Sequence, residues 1–343
     1  MKNISAAFLI IGSFIGAGFS TGKEIFVFYG MYGFVGLLNL LLSMILIYFV
    51  IYNYLYYGKL KNISNFKQVS IIISKKPIII DIILLTCFFI VTSALFAGLN
   101  EFDNYLNINS KFKIVGLVTL IFAILCSIGG LKSLSKISNI VVPIIIFMFM
   151  FICCYSIFTK KFQIGEFTFK NNYIVSICNG ISYVGYNTIL SSQLFFSISK
   201  KIKDIRKVTI LTVSIFLILL LLGTLAIITS DTLIMVSQMP LLNIAIGING
   251  WVGYVYLIVM WFAIITTLLS NIYSITGYLK NYFKNDVLII IFVCVTCYLI
   301  SFVGFGNIIE FLYPLIGAFG IFYYLMLFAK FNIKKNAMCF ANK

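Results

Sequence analysis

Residues 11–22 read IGSFIGAGFSTG, so four glycines and three hydroxyl side chains fall within twelve residues. The segment lies inside an apolar stretch at 4–30, which would be about 39 Å long as one helix against a bilayer core of about 30 Å. A second long apolar stretch, at 173–198, carries NGISYVGYN at 179–187. Because glycine disfavours helix interiors, we predict that both helices are broken at these segments.

The whole chain has the composition of a membrane protein. Of its 343 residues, 62% are hydrophobic and only 10% are charged. Apolar runs of about 20 residues, the length that crosses a bilayer, recur from end to end. We therefore predict an all-α polytopic membrane protein with ten transmembrane helices in one integral membrane domain over 1–343. The predicted spans 1 to 10 are 4–30, 33–56, 78–99, 112–128, 138–158, 173–198, 208–229, 250–279, 287–303 and 308–329.

The composition also disfavours several classes of function. The chain has no His, which is the commonest general base and a frequent metal ligand, and its 8 Cys form no closely spaced pair of CxxC motifs. An enzyme is therefore not expected, and neither is an organic cofactor. The net charge of +16 comes from short basic clusters between the spans, so nucleic acid is not an expected partner.

The basic residues predict the orientation of the chain. If the N-terminus is cytoplasmic, 19 of the 25 Lys and Arg residues fall in cytoplasmic segments and 6 fall on the other side. The two largest inner clusters lie at 58–77 and 200–207. Because cytoplasmic loops retain an excess of Lys and Arg, we predict a multi-pass protein of the cytoplasmic membrane with both termini inside the cell.

The two interrupted spans occupy corresponding places in the chain. Spans 1 to 5 cover 4–158 and spans 6 to 10 cover 173–329, two halves of similar length. Because five is an odd number, the second half enters the membrane from the opposite side. Inverted halves with interrupted helices indicate a transporter binding site near the membrane midplane. The alternative is close helix packing, which small residues at four-residue spacing allow. Gly12 and Gly16 form one such pair, and Gly18 and Gly22 form another.

Residues 15–24 read IGAGFSTGKE and resemble the GAGFASGQE-type signature of the YkvI-like membrane proteins. That family is part of the amino acid-polyamine-organocation (APC) superfamily, which has the LeuT fold. The chain departs from the signature at Ser20, Thr21 and Lys23, where the pattern has Ala, Ser and Gln. The resemblance implies a LeuT-fold 5+5 inverted repeat with broken helices in spans 1 and 6.

The resemblance also implies a substrate site at the two breaks. The break in span 1 would present backbone N–H groups to the carboxylate of a zwitterion. The break in span 6 would present carbonyl groups to its ammonium group, and two tyrosines would close over it, although ordinary packing is the alternative for each tyrosine. The residues expected to contact the substrate are Gly16, Ala17, Gly18, Phe19, Asn179, Gly180, Ser182, Tyr183 and Tyr186.

A sodium site is implied in the same way, because LeuT-fold symporters that use sodium bind it between spans 1 and 8. In span 8, Ala263, Thr266 and Thr267 stand at i, i+3 and i+4 and share one helix face. The matching span 1 carbonyls belong to Gly12 and Ile15. Alternatively, each Thr hydroxyl bonds only to the carbonyl four residues earlier in its own helix.

Charged residues within the spans are few, and each is a candidate for function. Glu24 lies eight residues past Gly16, which would place it about 12 Å further outward along a continuous helix. We interpret it as an outer gate, a proton-carrying group or an interfacial residue paired with Lys. Asp81 and Glu310 are expected at the membrane interfaces.

These observations predict a secondary transporter that moves a small zwitterion, with an amino acid as the first candidate, by alternating access coupled to sodium. Two alternatives remain open. A receptor on the same fold, as in spore germinant receptors, would bind its ligand without transport. A proton-coupled transporter would use Glu24 in place of the sodium site. The sequence gives neither the substrate's identity nor the oligomeric state.

Overall fold

The computed structural model describes residues 2–106, 113–159, 169–170 and 172–341. Every regular element in these ranges is helical. The first half of the chain contains α1 (Asn3–Phe14), α2 (Ala17–Thr21), α3 (Lys23–Phe28), α4 (Gly33–Leu60), α5 (Phe66–Ile73), α6 (Pro77–Tyr105), α7 (Ile114–Ser127) and α8 (Gly130–Thr159). The second half contains α9 (Tyr173–Leu190), α10 (Ser192–Ser199), α11 (Ile205–Ile228), α12 (Thr232–Val236), α13 (Pro240–Ile248), α14 (Gly250–Leu279), α15 (Asp286–Ile300), α16 (Phe305–Asn307) and α17 (Tyr313–Ala341).

Each predicted span overlaps one helix or several consecutive helices; the first, 4–30, overlaps α1, α2 and α3. Within the described ranges, six helical segments are long and apolar enough to cross a membrane. They are Lys23–Leu60, Pro77–Tyr105, Gly130–Thr159, Ile205–Ile228, Gly250–Leu279 and Ile308–Phe331. The helices α1, α7 and α15 are apolar but shorter. The all-α membrane architecture is thus confirmed, while the count of ten crossings stays a prediction.

Span 1 is broken where the sequence predicts. Ile15 (φ −82°, ψ 81°) and Gly16 (φ −96°, ψ −162°) leave the helical region and separate α1 from α2. A second change of direction occurs at Gly22, whose φ of 85° is left-handed and separates α2 from α3. Glycine adopts this conformation without the steric cost that a side chain would bring.

Span 6 is interrupted at a different place from the predicted one. The helix α9 runs without a break through 179–187, and the interruption falls at Ser191, before α10. The glycines of the segment pack against other helices instead. A side chain at Gly180 would overlap Asn39 of α4, and one at Gly185 would overlap the backbone of Gly317 in α17. Here the close-packing alternative is correct, because small residues let helix backbones approach.

The broken first span lies at the centre of the bundle. The helix α1 contacts α8, α11 and α14, and α2 contacts α6, α13 and α14. All residues of α2 are buried. The unsatisfied backbone groups at the break are therefore enclosed by neighbouring helices, which must supply their hydrogen-bond partners.

The predicted orientation can be tested with single cysteines at exposed positions. In a variant that lacks the native cysteines, Lys76→Cys and Lys203→Cys should be shielded from an impermeant thiol reagent added to intact cells, whereas Asn104→Cys should react. All three positions are exposed. The reason is the excess of basic residues at the two shielded loops. Labelling of both loops from outside would contradict the orientation.

The contact between α9 and α17 predicts a stability difference between two glycine substitutions. Gly185→Ala should lower the melting temperature in detergent, because its methyl group would overlap the Gly317 carbonyl; overpacking of this kind costs about 1–3 kcal/mol. Gly247→Ala in α13 is the control, since nothing lies within 4 Å of the added Cβ. Removal of a helical glycine there should leave stability unchanged or raise it. Equal melting temperatures for the two variants would argue against tight packing at Gly185.

Candidate functional site

The interruptions of spans 1 and 6 lie next to each other. The hydroxyl groups of Ser13, in the last turn of α1, and Ser191, between α9 and α10, are 2.9 Å apart and both residues are buried. Since Ser13 donates to the Ile10 carbonyl at 2.7 Å, it accepts the hydrogen bond from Ser191. The two halves of the chain therefore meet at their helix interruptions.

Span 8 supplies a hydroxyl group to the break in span 1. The Oγ1 atom of Thr267 in α14 lies 2.9 Å from the carbonyl oxygen of Gly12 and 2.9 Å from that of Ile15. These are the two carbonyls that the family resemblance implies as sodium ligands. A side chain at position 12 would press on α8, since an added Cβ would lie 3.0 Å from Val142 and 3.3 Å from Ser138.

The neighbouring threonine makes a local bond. Thr266 donates to the Ala263 carbonyl within α14 at 2.8 Å, a bond within its own helix but to the residue three positions earlier rather than four, whereas Thr267 bonds across to α1. Of the five predicted sodium ligands, the structure therefore brings together the Gly12 and Ile15 carbonyls and the Thr267 hydroxyl. The oxygens of Ala263 and Thr266 are bonded to each other one turn or less away on α14.

This oxygen set fits a monovalent cation. Its members are uncharged, whereas sites for Ca²⁺ and Mg²⁺ usually include carboxylates. Among the described residues, no group of three or more His, Cys, Asp or Glu side chains could hold a metal ion. The Thr267 hydroxyl has one proton and can donate to only one of its two carbonyl neighbours at a time. A cation held by the carbonyl and hydroxyl oxygens would relieve the repulsion of the remaining lone pairs.

Glu24 lies at the break rather than further outward, which corrects the estimate from a continuous helix. Because the chain turns at Gly22, the Glu24 side chain folds back, and a side chain at Gly18 would overlap its carboxyl group. Glu24 is only 2% exposed, and its carboxylate accepts a hydrogen bond from the hydroxyl of Tyr186 in α9. The structure thus joins Gly18, Glu24 and Tyr186, three of the residues selected from the sequence.

Aromatic rings pack around Tyr186, whose hydroxyl group bonds to this carboxylate. We define the aromatic cluster as Phe28, Tyr183, Tyr186 and Tyr313, all of which are buried. The Tyr186 ring centroid lies 4.9 Å from that of Tyr313, 5.5 Å from that of Tyr183 and 5.8 Å from that of Phe28. Sequence reasoning missed Tyr313, because its contact with Tyr186 joins residues more than a hundred positions apart.

The lysine next to Glu24 does not pair with it. Lys23 is 4% exposed, and its Nζ atom lies 2.9 Å from the Oε1 atom of Glu310 and 3.5 Å from the carbonyl of Val236, to which it donates. The suggested pairing of Glu24 with Lys is therefore wrong. Sequence reasoning missed the Lys23–Glu310 ion pair, since it joins residues nearly three hundred positions apart.

Three residues expected at the site lie elsewhere. Asn179 donates to the hydroxyl of Tyr32 at 2.7 Å, and Gly180 and Ser182 face α4 and α17. Their backbone carbonyl groups lie within the continuous helix α9, so the helix has no break here that would free them for a ligand.

Two other predicted residues adjoin the break through core contacts. Phe19 stacks on Phe149 at 5.2 Å and on Phe216 at 5.3 Å, between α8 and α11. Ala17 faces Gly98 of α6, where an added Cβ would lie 2.9 Å from the Cβ of Ala17.

Asp81 is buried and accepts a hydrogen bond from Tyr278 at 3.1 Å, so it is less exposed than an interfacial position suggests.

Comparison with known proteins agrees with this arrangement. No protein-family profile matches the chain. The membrane protein YkvI of Bacillus subtilis (strain 168), described as uncharacterised, is 22% identical over 319 residues that cover 91% of each chain. The crystal structure of MhsT in complex with L-phenylalanine, a LeuT-fold transporter, superposes with a TM-score of 0.68 at 13% identity and 95% coverage of each chain. The chain has the LeuT fold. This confirms the predicted fold class and the likeness to YkvI.

The bond between Glu24 and Tyr186 predicts a contrast between two tyrosine substitutions. Tyr186→Phe should lower the melting temperature, because a buried carboxyl group loses its hydrogen bond at a cost of about 1–3 kcal/mol. Tyr54→Phe is the matched control, since the Tyr54 hydroxyl is equally buried but has no hydrogen-bond partner within the described residues. It should be neutral or stabilising. If Tyr54→Phe were the more damaging change, the Glu24–Tyr186 bond would not be a stabilising contact.

Proposed function

We propose that the protein is a sodium-coupled secondary transporter of a small organic solute that carries an ammonium group. The observation that carries this proposal is the Thr267 hydroxyl, which lies 2.9 Å from both the Gly12 and the Ile15 carbonyl oxygens at the helix break. The LeuT-fold neighbour was crystallised with L-phenylalanine, so amino acids are the first solutes to consider.

Sodium and solute would act on the same turn of backbone. A sodium ion held by the Gly12 and Ile15 carbonyls and the Thr267 hydroxyl would join α1 to α14. Ile15 directly precedes Gly16, and Gly18, beside which the Glu24 carboxyl group lies, is in the first turn of α2. Sodium would therefore fix the backbone against which the solute binds, so that each ligand raises the affinity for the other.

This linkage supplies what alternating access requires. A solute can shift the protein between inward- and outward-open states only by as much as its affinities for the two states differ. The sodium ligands come from both α1 and α14. If these helices moved apart, the ligands would separate and the affinity for sodium would fall. A sodium gradient would thus favour one direction of solute movement.

A second candidate is proton coupling through Glu24. The favouring observation is its burial beside the break with a single hydrogen bond from Tyr186 among the described residues. Intramembrane carboxyl groups often carry protons in transporters. In that case sodium would be dispensable, and activity would depend on pH and disappear in Glu24→Gln.

Sodium alone is a sufficient probe for the first test. Purified protein should melt at a higher temperature as sodium chloride replaces potassium chloride at constant ionic strength, because a ligand that binds only the folded state stabilises it. Thr267→Ala should raise the sodium concentration for the half-maximal shift by about tenfold, which corresponds to about 1.4 kcal/mol. Thr267→Ser keeps the hydroxyl group and should retain most of the response.

The control is a threonine on the same helix. Thr276 is also buried, but its hydroxyl donates to the Ile272 carbonyl within α14. Thr276→Ala should leave the sodium response as in the wild type. Wild-type protein that melts identically in sodium and potassium would rule out the sodium site and leave the proton-coupled alternative.

A further inference from the structure

Glu24 is a buried acid for which the described part of the chain provides no cation. Its side chain is almost fully enclosed, and its hydrogen bond comes from the uncharged Tyr186 hydroxyl. The adjacent Lys23 is held by Glu310 at 2.9 Å and by the Val236 carbonyl. A carboxyl group enclosed in a membrane protein ionises at little cost only when a cation pairs with it, so Glu24 is a candidate partner for a cationic group.

The proposed sodium does not fill this role. Its oxygen ligands are backbone carbonyls and threonine hydroxyls of α1 and α14, and no carboxylate is among them. Glu24 instead contacts Gly18, on the other side of the Gly16 turn from the Ile15 carbonyl. The two sites are close neighbours with different chemistry.

The rings packed on Tyr186, the hydrogen-bond partner of Glu24, indicate an organic cation. The aromatic cluster packs Tyr186 against three other rings at centroid distances of 4.9 to 5.8 Å. Aromatic faces attract ammonium and alkylammonium groups, and cages of several such rings recognise organic ammonium ions. A small hydrated metal ion would gain less from these surfaces than an alkylated ammonium group would.

The Glu24 carboxylate also disfavours a solute that carries a carboxylate of its own. It lies against Gly18, at the backbone segment where the carboxylate of an amino acid was expected. A bound zwitterion would bring its own carboxylate beside Glu24, and like charges repel strongly at short distances in a site of low polarity. A solute with a net positive charge would leave the site neutral.

We infer that Glu24 binds the ammonium group of the transported solute within the aromatic cluster, and that the solute is a small organic cation without a free carboxylate. This inference rests on the proposed function, which places the solute at the helix break. On binding, the ammonium group replaces the Tyr186 hydroxyl as a partner of the carboxylate, and the rings separate to admit the alkyl part.

The test compares three forms of one side chain in the presence of sodium. L-phenylalanine, L-leucine and L-alanine are each measured beside the methyl ester of that amino acid and the amine that lacks its carboxyl group. The ester and the amine are cations, whereas the parent amino acid is a zwitterion. For at least one side chain, the ester and the amine should bind wild-type protein about tenfold or more tightly than the amino acid in thermal-shift and calorimetric titrations.

Two variants locate the interaction. Glu24→Gln should reduce affinity for the amine by about tenfold or more, because the charge is lost while the shape is kept. Glu101→Gln is the control, since Glu101 is a partly exposed carboxylate that accepts a hydrogen bond from Asn104. It should bind the amine as the wild type does. The sodium-dependent melting shift of each variant checks that it is folded.

Each outcome decides the question. Tighter binding of the cations that is lost in Glu24→Gln supports the inference. Amino acids that bind as well as their esters, or wild-type protein that binds no cationic probe, would overturn it. Unchanged amine affinity in Glu24→Gln would do the same. If Glu24→Gln does not fold, the comparison of the three ligand forms on wild-type protein still decides. A failure of the proposed function is distinct, because it is the loss of the wild-type sodium response.

Discussion

The structure depends on how it satisfies the carbonyl groups that are freed where the first helix ends. At the centre of a membrane protein, water does not reach such groups, so neighbouring helices must supply their partners. The Thr267 hydroxyl lies between the Gly12 and Ile15 carbonyls, and Ser191 reaches Ser13 from span 6. Each contact joins a helix of the first half to one of the second. The break is therefore a junction between the two halves as well as an interruption of one helix.

A second constraint is the left-handed turn at Gly22. It separates α2 from α3 and directs Glu24 back toward Gly18. Lys23, one residue earlier, instead faces Glu310. Two adjacent side chains of opposite charge thus have different partners. The turn places a carboxyl group beside Gly18, near the helix break, and directs the lysine to a different partner.

Parts of this arrangement can be predicted from the sequence, because they depend on residues that are close together in the chain. The glycine-rich segment at 11–22 predicts a broken helix, and the spacing of Ala263, Thr266 and Thr267 predicts a face of oxygen atoms. Both depend on a few consecutive residues and on the period of a helix. The likeness of 15–24 to the YkvI-like signature indicates how these two segments meet.

Other parts depend on partners far away in the sequence. Whether the segment at 179–187 breaks its helix or packs against another depends on Gly317, more than a hundred residues later. The direction of Glu24 depends on one backbone angle at Gly22. Glycine is equally consistent with a break, a turn and a close contact, so its position alone does not distinguish among them.

The glycine contact between α9 and α17 has a mechanical consequence. Gly185 packs against the backbone of Gly317, and Gly320 packs against the carbonyl of Gly185, so the two helix backbones are in direct contact there. Backbones in direct contact have no rotamers with which to absorb a displacement, so we expect the two helices to move as one rigid unit. Tyr186 on α9 and Tyr313 on α17 would then shift together. A tilt of that unit would reach Glu24 through its hydrogen bond from the Tyr186 hydroxyl.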